Sequence, residues 1–79
     1  SELQCVYFCQ FLGKTLFTQG IDYLIPFLSD DRERVQQEAI WAFDRYIESE
    51  KIEEKKKVIF LIQALQKAGE KGTYVGNNG

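Results

Sequence analysis

Two cysteines have the side chains with the greatest potential for chemistry, because a thiol can act as a nucleophile, bind a metal or form a disulfide. Cys5 and Cys9 are the only cysteines among the 79 residues, and the sequence contains no histidine. Their spacing places them on adjacent turns of one helix face, where the side chains run parallel and form a disulfide poorly. Two sulfurs without an imidazole also make a poor zinc site. We therefore expect two buried, reduced thiols, which suits a cytoplasmic or nuclear protein.

The other residues offer little for catalysis. The sequence has no histidine for general-base chemistry and no glycine-rich phosphate loop, and its carboxylates follow solvated helical patterns. A nucleophile at Cys5 or Cys9 lacks an imidazole partner to activate it. The sequence therefore predicts a non-catalytic protein with no cofactor and no metal site.

The charge and hydropathy of the chain also limit its partners. Ten Lys and Arg residues stand against twelve Asp and Glu residues, which gives a formal net charge of −2. No global field attracts such a chain to a phosphate backbone. The apolar run from Val58 to Ile62 is far shorter than the roughly twenty residues of a membrane span. We expect neither nucleic acid nor a membrane as a partner.

Apolar residues recur at helical spacing along most of the chain, which predicts an all-α fold of about four helices. The first helix, Glu2 to Phe17, is apolar on nearly all sides, as is typical of a central helix packed between two neighbours. Gly20 begins a short second helix, which Pro26 interrupts or bends. The pattern contains no convincing strand.

The third and fourth helices carry start signals. Asp30 and Glu33 form an Asp-x-x-Glu pattern, which predicts a capping box and a helix that continues to about Ser49. The fourth helix is expected from about Ile52 to Ala68, with glycines ending it. Residues 1–70 are thus predicted to form one helical domain, and residues 71–79, which are rich in turn formers, a flexible C-terminal tail.

The fourth helix groups its apolar side chains into one main stripe. The stripe consists of Val58, Leu61, Ile62, Ala64, Leu65 and Ala68. Ile59 and Phe60 project to either side of the stripe. These two side chains are either buried against helices of this chain or exposed until another helix packs on them.

The third helix divides into two arcs at about 100° per residue. Its apolar arc contains Val35, Ala39, Ile40, Ala42, Phe43, Tyr46 and Ile47. Its polar arc contains Glu33, Arg34, Gln37, Glu38, Asp44, Arg45 and Glu48. Trp41 lies in the middle of the polar arc, where the core face of its own helix does not explain it. Three interpretations are open. A neighbouring helix covers Trp41, or Trp41 is an aromatic platform on a binding surface. Alternatively, the helix begins or ends at other residues, so that Trp41 does not belong to the polar arc.

Residues 20–47 contain a short apolar helix ending at Leu28, an acidic turn and a long helix reading Val-Gln-x-x-Ala-x-Trp-Ala-Phe. This succession resembles one unit of an armadillo or HEAT repeat. The resemblance implies an alpha-alpha superhelix, of which this chain holds one recognisable unit with flanking helices. Because such arrays need about three units to cover their apolar faces, the chain is expected to be a piece of a longer solenoid.

In armadillo repeats the third helix lines a concave groove, and the nuclear-import receptors of that class present a tryptophan there. An asparagine four residues later holds the backbone of an extended peptide. Trp41 matches the tryptophan, but Arg45 stands at the asparagine position, and an arginine donates without accepting and repels cations. The resemblance therefore implies an acidic or neutral peptide. The predicted partner-binding residues are Trp41, Arg45, Arg34, Gln37 and Glu48.

Two functions follow from these patterns. The first is a protein-interaction or scaffold module that binds a protein or an extended peptide on the third-helix face. The alternative is a small helical bundle or capping segment with a structural role. Because several helices have more than one apolar side, we also expect self-association.

Overall fold

The computed structural model describes residues 1–71, which contain four α-helices, one 3₁₀ segment and no strand. The helices are α1 (Glu2–Thr15), α2 (Gly20–Leu24), α3 (Glu33–Glu48) and α4 (Glu54–Lys71), and the 3₁₀ segment is Ile25–Ser29. The prediction of an all-α fold is confirmed for this range. The predicted tail, residues 71–79, lies outside the described residues except for Lys71, which ends α4.

Local hydrogen bonds fix both ends of α1. A capping box forms at its start, where the Ser1 hydroxyl accepts from the Gln4 N–H and the Gln4 side chain accepts from the Ser1 amine. At its end, Leu16 adopts a left-handed conformation with φ 54°, and its N–H donates to the Leu12 carbonyl. The left-handed backbone of Leu16 ends the helix and turns the chain toward α2, while this bond satisfies the Leu12 carbonyl.

Pro26 explains the change from α2 to the 3₁₀ segment. Proline has no N–H to donate to the helical ladder, and its ring clashes with the preceding turn. The α-helix accordingly ends at Leu24, and the tighter 3₁₀ geometry continues to Ser29. The expected short, interrupted second helix is confirmed. Ile21 and Leu28, one from each half, are both buried.

α3 begins at Glu33, but the predicted capping box is absent. One carboxylate oxygen of Asp30 accepts from the backbone N–H of Arg32 at 2.8 Å, and the same carboxylate pairs with the Arg32 guanidinium. Arg32 is the N-cap residue and makes no side-chain capping bond. The start of α3 was predicted correctly, but the predicted reason for it was wrong. The Asp30 carboxylate binds Arg32 and does not cap the helix.

α1 and α3 lie side by side and run in the same direction. At one end Arg32 Nη2 lies 3.6 Å from Cys5 Sγ, and at the other Arg45 Nε lies 2.8 Å from the Gly13 carbonyl oxygen. The α2 and 3₁₀ segment connects the two helices and packs on α3, while α4 packs on the 3₁₀ segment. The central helix is therefore α3, and the prediction that α1 is central was wrong.

The hydrophobic core lies where α1, α2 and the 3₁₀ segment meet α3. Its buried members are Cys9, Leu12, Ile21, Leu24, Leu28, Ala39, Ala42, Phe43, Tyr46 and Ile52. Tyr46 is fully buried and donates its hydroxyl to the Phe17 carbonyl. Gly20 lies against that hydroxyl, and a Cβ at this position would overlap it. A glycine is therefore required for the close approach of the α1–α2 loop to α3.

α4 turns to the core a face that overlaps the predicted stripe only in part. Ala64, a member of that stripe, packs against the core together with Phe60, which was expected beside the stripe. Most of the predicted stripe is exposed instead: Val58 by 57%, Leu61 by 43%, Ile62 by 50% and Leu65 by 50%. Ile59 is also exposed. Helical spacing shows which side chains share a face, but it does not show which face meets the neighbouring segment.

Candidate partner-binding groove

An open groove of about 410 Å³ runs between α1 and α3. Gln10 and Lys14 line it from α1, and Gln37, Glu38 and Trp41 line it from α3. Gln10 and Lys14 are four residues apart, and Gln37 and Glu38 stand four and three residues before Trp41, so each set occupies one side of its helix. The groove has an aromatic ring bordered by amide and charged side chains.

Trp41 lies across the groove from α1 and is only partly covered. A Cβ placed on Gly13 would overlap the Trp41 ring, so the indole rests against the backbone of α1 where that helix has no side chain. The residue nevertheless remains 41% exposed. A neighbouring helix thus covers one part of Trp41, and another part stays open to solvent at the groove.

Arg45 supports both Trp41 and the end of α1. Its Nε donates to the Gly13 carbonyl at 2.8 Å, and its guanidinium carbon lies 5.8 Å from the centre of the Trp41 ring. The Gly13 carbonyl belongs to the last turn of α1, where carbonyls lack partners within the helix and a cation is favoured. The 5.8 Å distance between the Arg45 guanidinium carbon and the centre of the Trp41 ring is within the range of cation–π attraction. Arg45 therefore fixes the position of Trp41 against α1.

Two further side chains reinforce this end of the groove. The Tyr46 hydroxyl donates to the Phe17 carbonyl, and Lys51 Nζ donates to the Leu16 carbonyl at 3.4 Å. Arg45 and Tyr46 thus bind the end of α1 and the loop after it to α3. Lys51 binds the same loop to the turn that follows α3. The wall that carries Lys14 is thus anchored to the helix that carries Trp41.

The other predicted site residues lie along α3. Arg34 and Glu48 are exposed and stand seven residues before and after Trp41, which places them two turns away on the same side of the helix. Neither lines the groove. Gln37 does line it, and its side-chain amide donates to Glu33 at 3.3 Å. The structure therefore brings Trp41 and Gln37 together at the groove with Arg45 beside them.

Three groove residues were not predicted as site residues: Gln10, Lys14 and Glu38. A signal for two of them exists in the sequence. Gln10 and Lys14 are polar residues one turn apart on a helix that is otherwise strongly apolar. A polar pair of this kind marks the side of the helix that faces water. Glu38 carries no comparable signal, because α3 has many exposed acidic residues.

The thiols lie outside the groove. Cys9 is buried, and burial, followed by the negative charge of nearby groups, raises the pKa of its thiol to about 11. Cys5 is partly exposed and contacts the Arg32 guanidinium. Both cysteines are free. Within residues 1–71 no group of three acidic, histidine or cysteine side chains is placed to hold a metal ion.

None of the described helices combines the length and the apolar character needed to cross a membrane. Comparison of the chain with protein-family models, with curated proteins and with solved structures finds no match.

Proposed function

We propose that this chain is a non-catalytic protein-interaction module that binds a protein or an extended peptide along the groove between α1 and α3. The observation that carries the proposal is Trp41, which rests on Gly13, lies with its ring centre 5.8 Å from the Arg45 guanidinium carbon and remains 41% exposed. Tryptophan and arginine are the residue types most enriched at interaction hot spots. A ring held in place before a ligand arrives also lowers the entropy cost of binding.

The helix arrangement supports an origin in an armadillo or HEAT type of superhelix. α1 and α3 run parallel and pack against each other, and the 3₁₀ segment packs against both α3 and α4. Helical-repeat proteins stack in this manner, with each unit contacting its neighbours through equivalent helices. On this proposal α2, the 3₁₀ segment and α3 are one repeat, and α1 and α4 belong to the units on either side.

The walls of the groove indicate the chemistry of the partner. The amides of Gln10 and Gln37 can each donate to and accept from a peptide backbone. Lys14 on one wall and Glu38 on the other leave no strong charge preference, and Arg45 next to Trp41 disfavours a cation on the ring. We therefore propose an acidic or neutral peptide segment as the ligand, in the cytoplasm or nucleus, with neither nucleic acid nor a membrane as a partner.

A selection from a displayed library of random dodecapeptides tests this function. Peptides enriched on the wild-type chain are expected to lose affinity about thirtyfold for Trp41→Ala, since a hot-spot truncation costs about 2 kcal/mol or more. Phe17→Ala is the matched control, because Phe17 is an exposed aromatic residue outside the groove lining. Circular dichroism of each variant confirms that it is folded at the assay temperature. Equal binding to wild type and Trp41→Ala would contradict the proposal.

A structural role with self-association is the second candidate, and a separate observation favours it. Apolar stripes on α1 and α4 are exposed and do not belong to the groove lining.

A further inference from the structure

The side of α1 that forms the groove wall carries a second exposed aromatic residue. Tyr7 stands three residues before Gln10 and seven before Lys14, so it lies on the same side of α1 as these two lining residues. Its side chain is 59% exposed. On the opposite wall the partly exposed Trp41 ring rests against Gly13 of α1. Two aromatic rings therefore lie along one surface, with the polar groove residues next to them.

The separation of these two rings is set by α1. Tyr7 precedes Gly13 by six residues, which corresponds to about 9 Å along the helix axis at about 1.5 Å per residue. Because the Trp41 ring rests on Gly13, this value approximates the separation of the two rings along the groove. A peptide that contacts both rings needs two apolar groups on one side, about 9 Å apart.

A polyproline II helix has this separation. It rises about 3.1 Å per residue with three residues per turn, so residues i and i+3 lie on the same side about 9 Å apart. In a β-strand, side chains on one side are about 7 Å or about 13 Å apart, so a strand places only one of them on a ring. The spacing of the rings thus favours the polyproline II conformation over an extended strand.

Amide side chains between the two rings favour the same conformation over an α-helix. Residues i and i+7 of an α-helix are about 10 Å apart, but its carbonyls are bonded within the helix. A polyproline II helix leaves its carbonyls without internal partners. Gln10 lies between Tyr7 and Gly13 along α1. Gln37 lies one turn before Trp41 on the parallel helix α3. Both amides line the groove and can donate to such carbonyls.

We propose, on the basis of the peptide-binding function above, that the ligand is a proline-rich segment of a partner protein in the polyproline II conformation. One proline packs on Trp41, and a second proline three residues away packs on Tyr7. Aromatic-lined grooves recognise such segments because the polyproline II helix is already formed before binding and loses little entropy.

The charges along the groove specify one further residue of the ligand. Lys14 directly follows Gly13, and Arg45 lies one turn beyond Trp41, so two cations stand at the Trp41 end. Glu38 stands three residues before Trp41, toward the middle of the groove. Complementary charges across an interface fix the register of the partner. We therefore expect an acidic residue next to the proline on Trp41, outside the pair of prolines.

Fluorescence anisotropy with fluorescein-labelled peptides tests this ligand class. The reference probes carry Pro-Ala-Ala-Pro in an alanine–serine background, with Asp-Asp either before the first proline or after the second, and the tighter of the two is used. Matched probes of the same composition have one or three residues between the prolines. They are expected to bind about tenfold more weakly, because only one proline then meets a ring. Equal affinity at all three spacings would overturn the proposal.

Variants of the protein separate the contributions of the two rings and the charges. Tyr7→Ala is expected to weaken the reference probe about tenfold and to bind all three spacings equally. Tyr23→Ala, which truncates a tyrosine on α2 that is 60% exposed, is the matched control and should bind like the wild type. Lys14→Glu is expected to weaken the reference probe and to strengthen a probe in which Lys-Lys replaces Asp-Asp. Circular dichroism confirms that each variant is folded.

Failure of this ligand class and failure of the groove function give different results. Library-selected peptides that require Trp41 but neither Tyr7 nor a pair of prolines would overturn the polyproline II ligand and leave the peptide groove intact. A gain of helical circular dichroism in the bound peptide would do the same. Peptides that bind equally well without Trp41 would contradict the groove itself and the polyproline II ligand with it.

Discussion

α3 and α4 have similar lengths, 16 and 18 residues, and both are amphipathic, yet they are packed very differently. α3 has α1 on one side and α2 with the 3₁₀ segment on the other, and Val35, Ala39, Ala42 and Tyr46 have no exposed surface. No side chain in residues 54–70 of α4 is fully buried. An amphipathic sequence therefore specifies a helix, whereas the number of neighbouring segments decides how much of its apolar face is covered.

Polar contacts differ between the two helices in the same way. Arg45 and Tyr46 of α3 donate to backbone carbonyls near the end of α1. The ion pairs of α4, Lys57 with Glu54 and Lys67 with Glu70, lie within the helix itself, each at 3.5 Å. Exposed pairs of this kind contribute a few tenths of a kcal/mol. α3 is thus bonded to its neighbour, while the salt bridges of α4 stabilise only the local helix.

The largest expected effect comes from the same truncation in the two regions. Leu12 is 2% exposed in the α1–α3 core, and Leu61 is 43% exposed on α4. Leu12→Ala is expected to lower the free energy of unfolding by about 2 to 5 kcal/mol, because it leaves a cavity. Leu61→Ala is expected to change it by less than about 0.5 kcal/mol. Urea denaturation of monomeric protein measures both losses, and equal losses would show that α3 and α4 are packed equally tightly.

Alkaline pH is expected to lower the free energy of unfolding through the α1–α3 core. Burial raises the pKa of the Cys9 thiol from 9.0 to about 11, and burial also raises the pKa of Tyr46. A raised pKa in the folded state gives stability that is complete below the unfolded value and is lost as pH rises through the folded value. For Cys9 the window is pH 9 to about 11, and the loss is on the order of 2 kcal/mol.

Denaturation at a series of pH values under reducing conditions measures this loss. Cys9→Ala removes the thiol from the core, so its stability is expected to fall less steeply across the same window. The remaining slope then includes the contribution of Tyr46, whose pKa burial also raises. An identical pH dependence in wild type and Cys9→Ala would show that the thiol does not cause it.

Replacing a glycine with alanine is expected to have opposite effects in the two regions. Gly13→Ala places a Cβ in the Trp41 ring and is expected to cost about 1 to 3 kcal/mol through overpacking. Gly69 of α4 has no atom within 4 Å of such a Cβ. Gly69→Ala is expected to stabilise the helix by up to about 1 kcal/mol. Thermal denaturation shows whether each variant is more or less stable than the wild type. In Gly13→Ala, a red shift of Trp41 fluorescence is expected because the displaced ring becomes more exposed to solvent.

The smallest expected effect concerns the cap on α1. Arg45→Met removes the bond to the Gly13 carbonyl and the contact with Trp41, and it is expected to cost about 1 kcal/mol. Glu48→Gln, an exposed change on the same helix, is the control and should remain within about 0.5 kcal/mol. Denaturant midpoints distinguish the two. If Arg45→Met leaves the free energy of unfolding unchanged, the contacts of Arg45 do not stabilise the end of α1.

Much of the secondary structure was predictable because it depends on local chemistry. Apolar spacing indicated four helices, and Gly20 and Pro26 marked the start and the interruption of the second. The orientation of α4 was not predictable, since Phe60 and Ala64 face inward for reasons that depend on the position of the 3₁₀ segment. The edge position of α1 has the same cause: a helix that is apolar all round indicates neighbours without showing whether this chain supplies them.

The groove was predictable on one side only. The exposure of Trp41 follows from its place in the polar arc of α3, but its packing on Gly13 joins residues 28 positions apart. A glycine inside an otherwise apolar helix indicates a close approach by another segment, although it does not identify that segment. Arg45 was predicted as a ligand contact, and its bond to Gly13 became visible only when α1 was placed beside α3.

We propose that ligand recognition belongs to the α1–α3 groove and not to the exposed stripe of α4. A ¹⁵N-correlation spectrum of the wild-type chain titrated with a library-selected peptide tests it most directly. If the peptide binds in the groove, the Trp41 indole signal and the backbone amides of Gln10, Lys14 and Gln37 are expected to shift together and saturate with one affinity. Shifts confined to residues 58–65 of α4, with Trp41 unchanged, would contradict it.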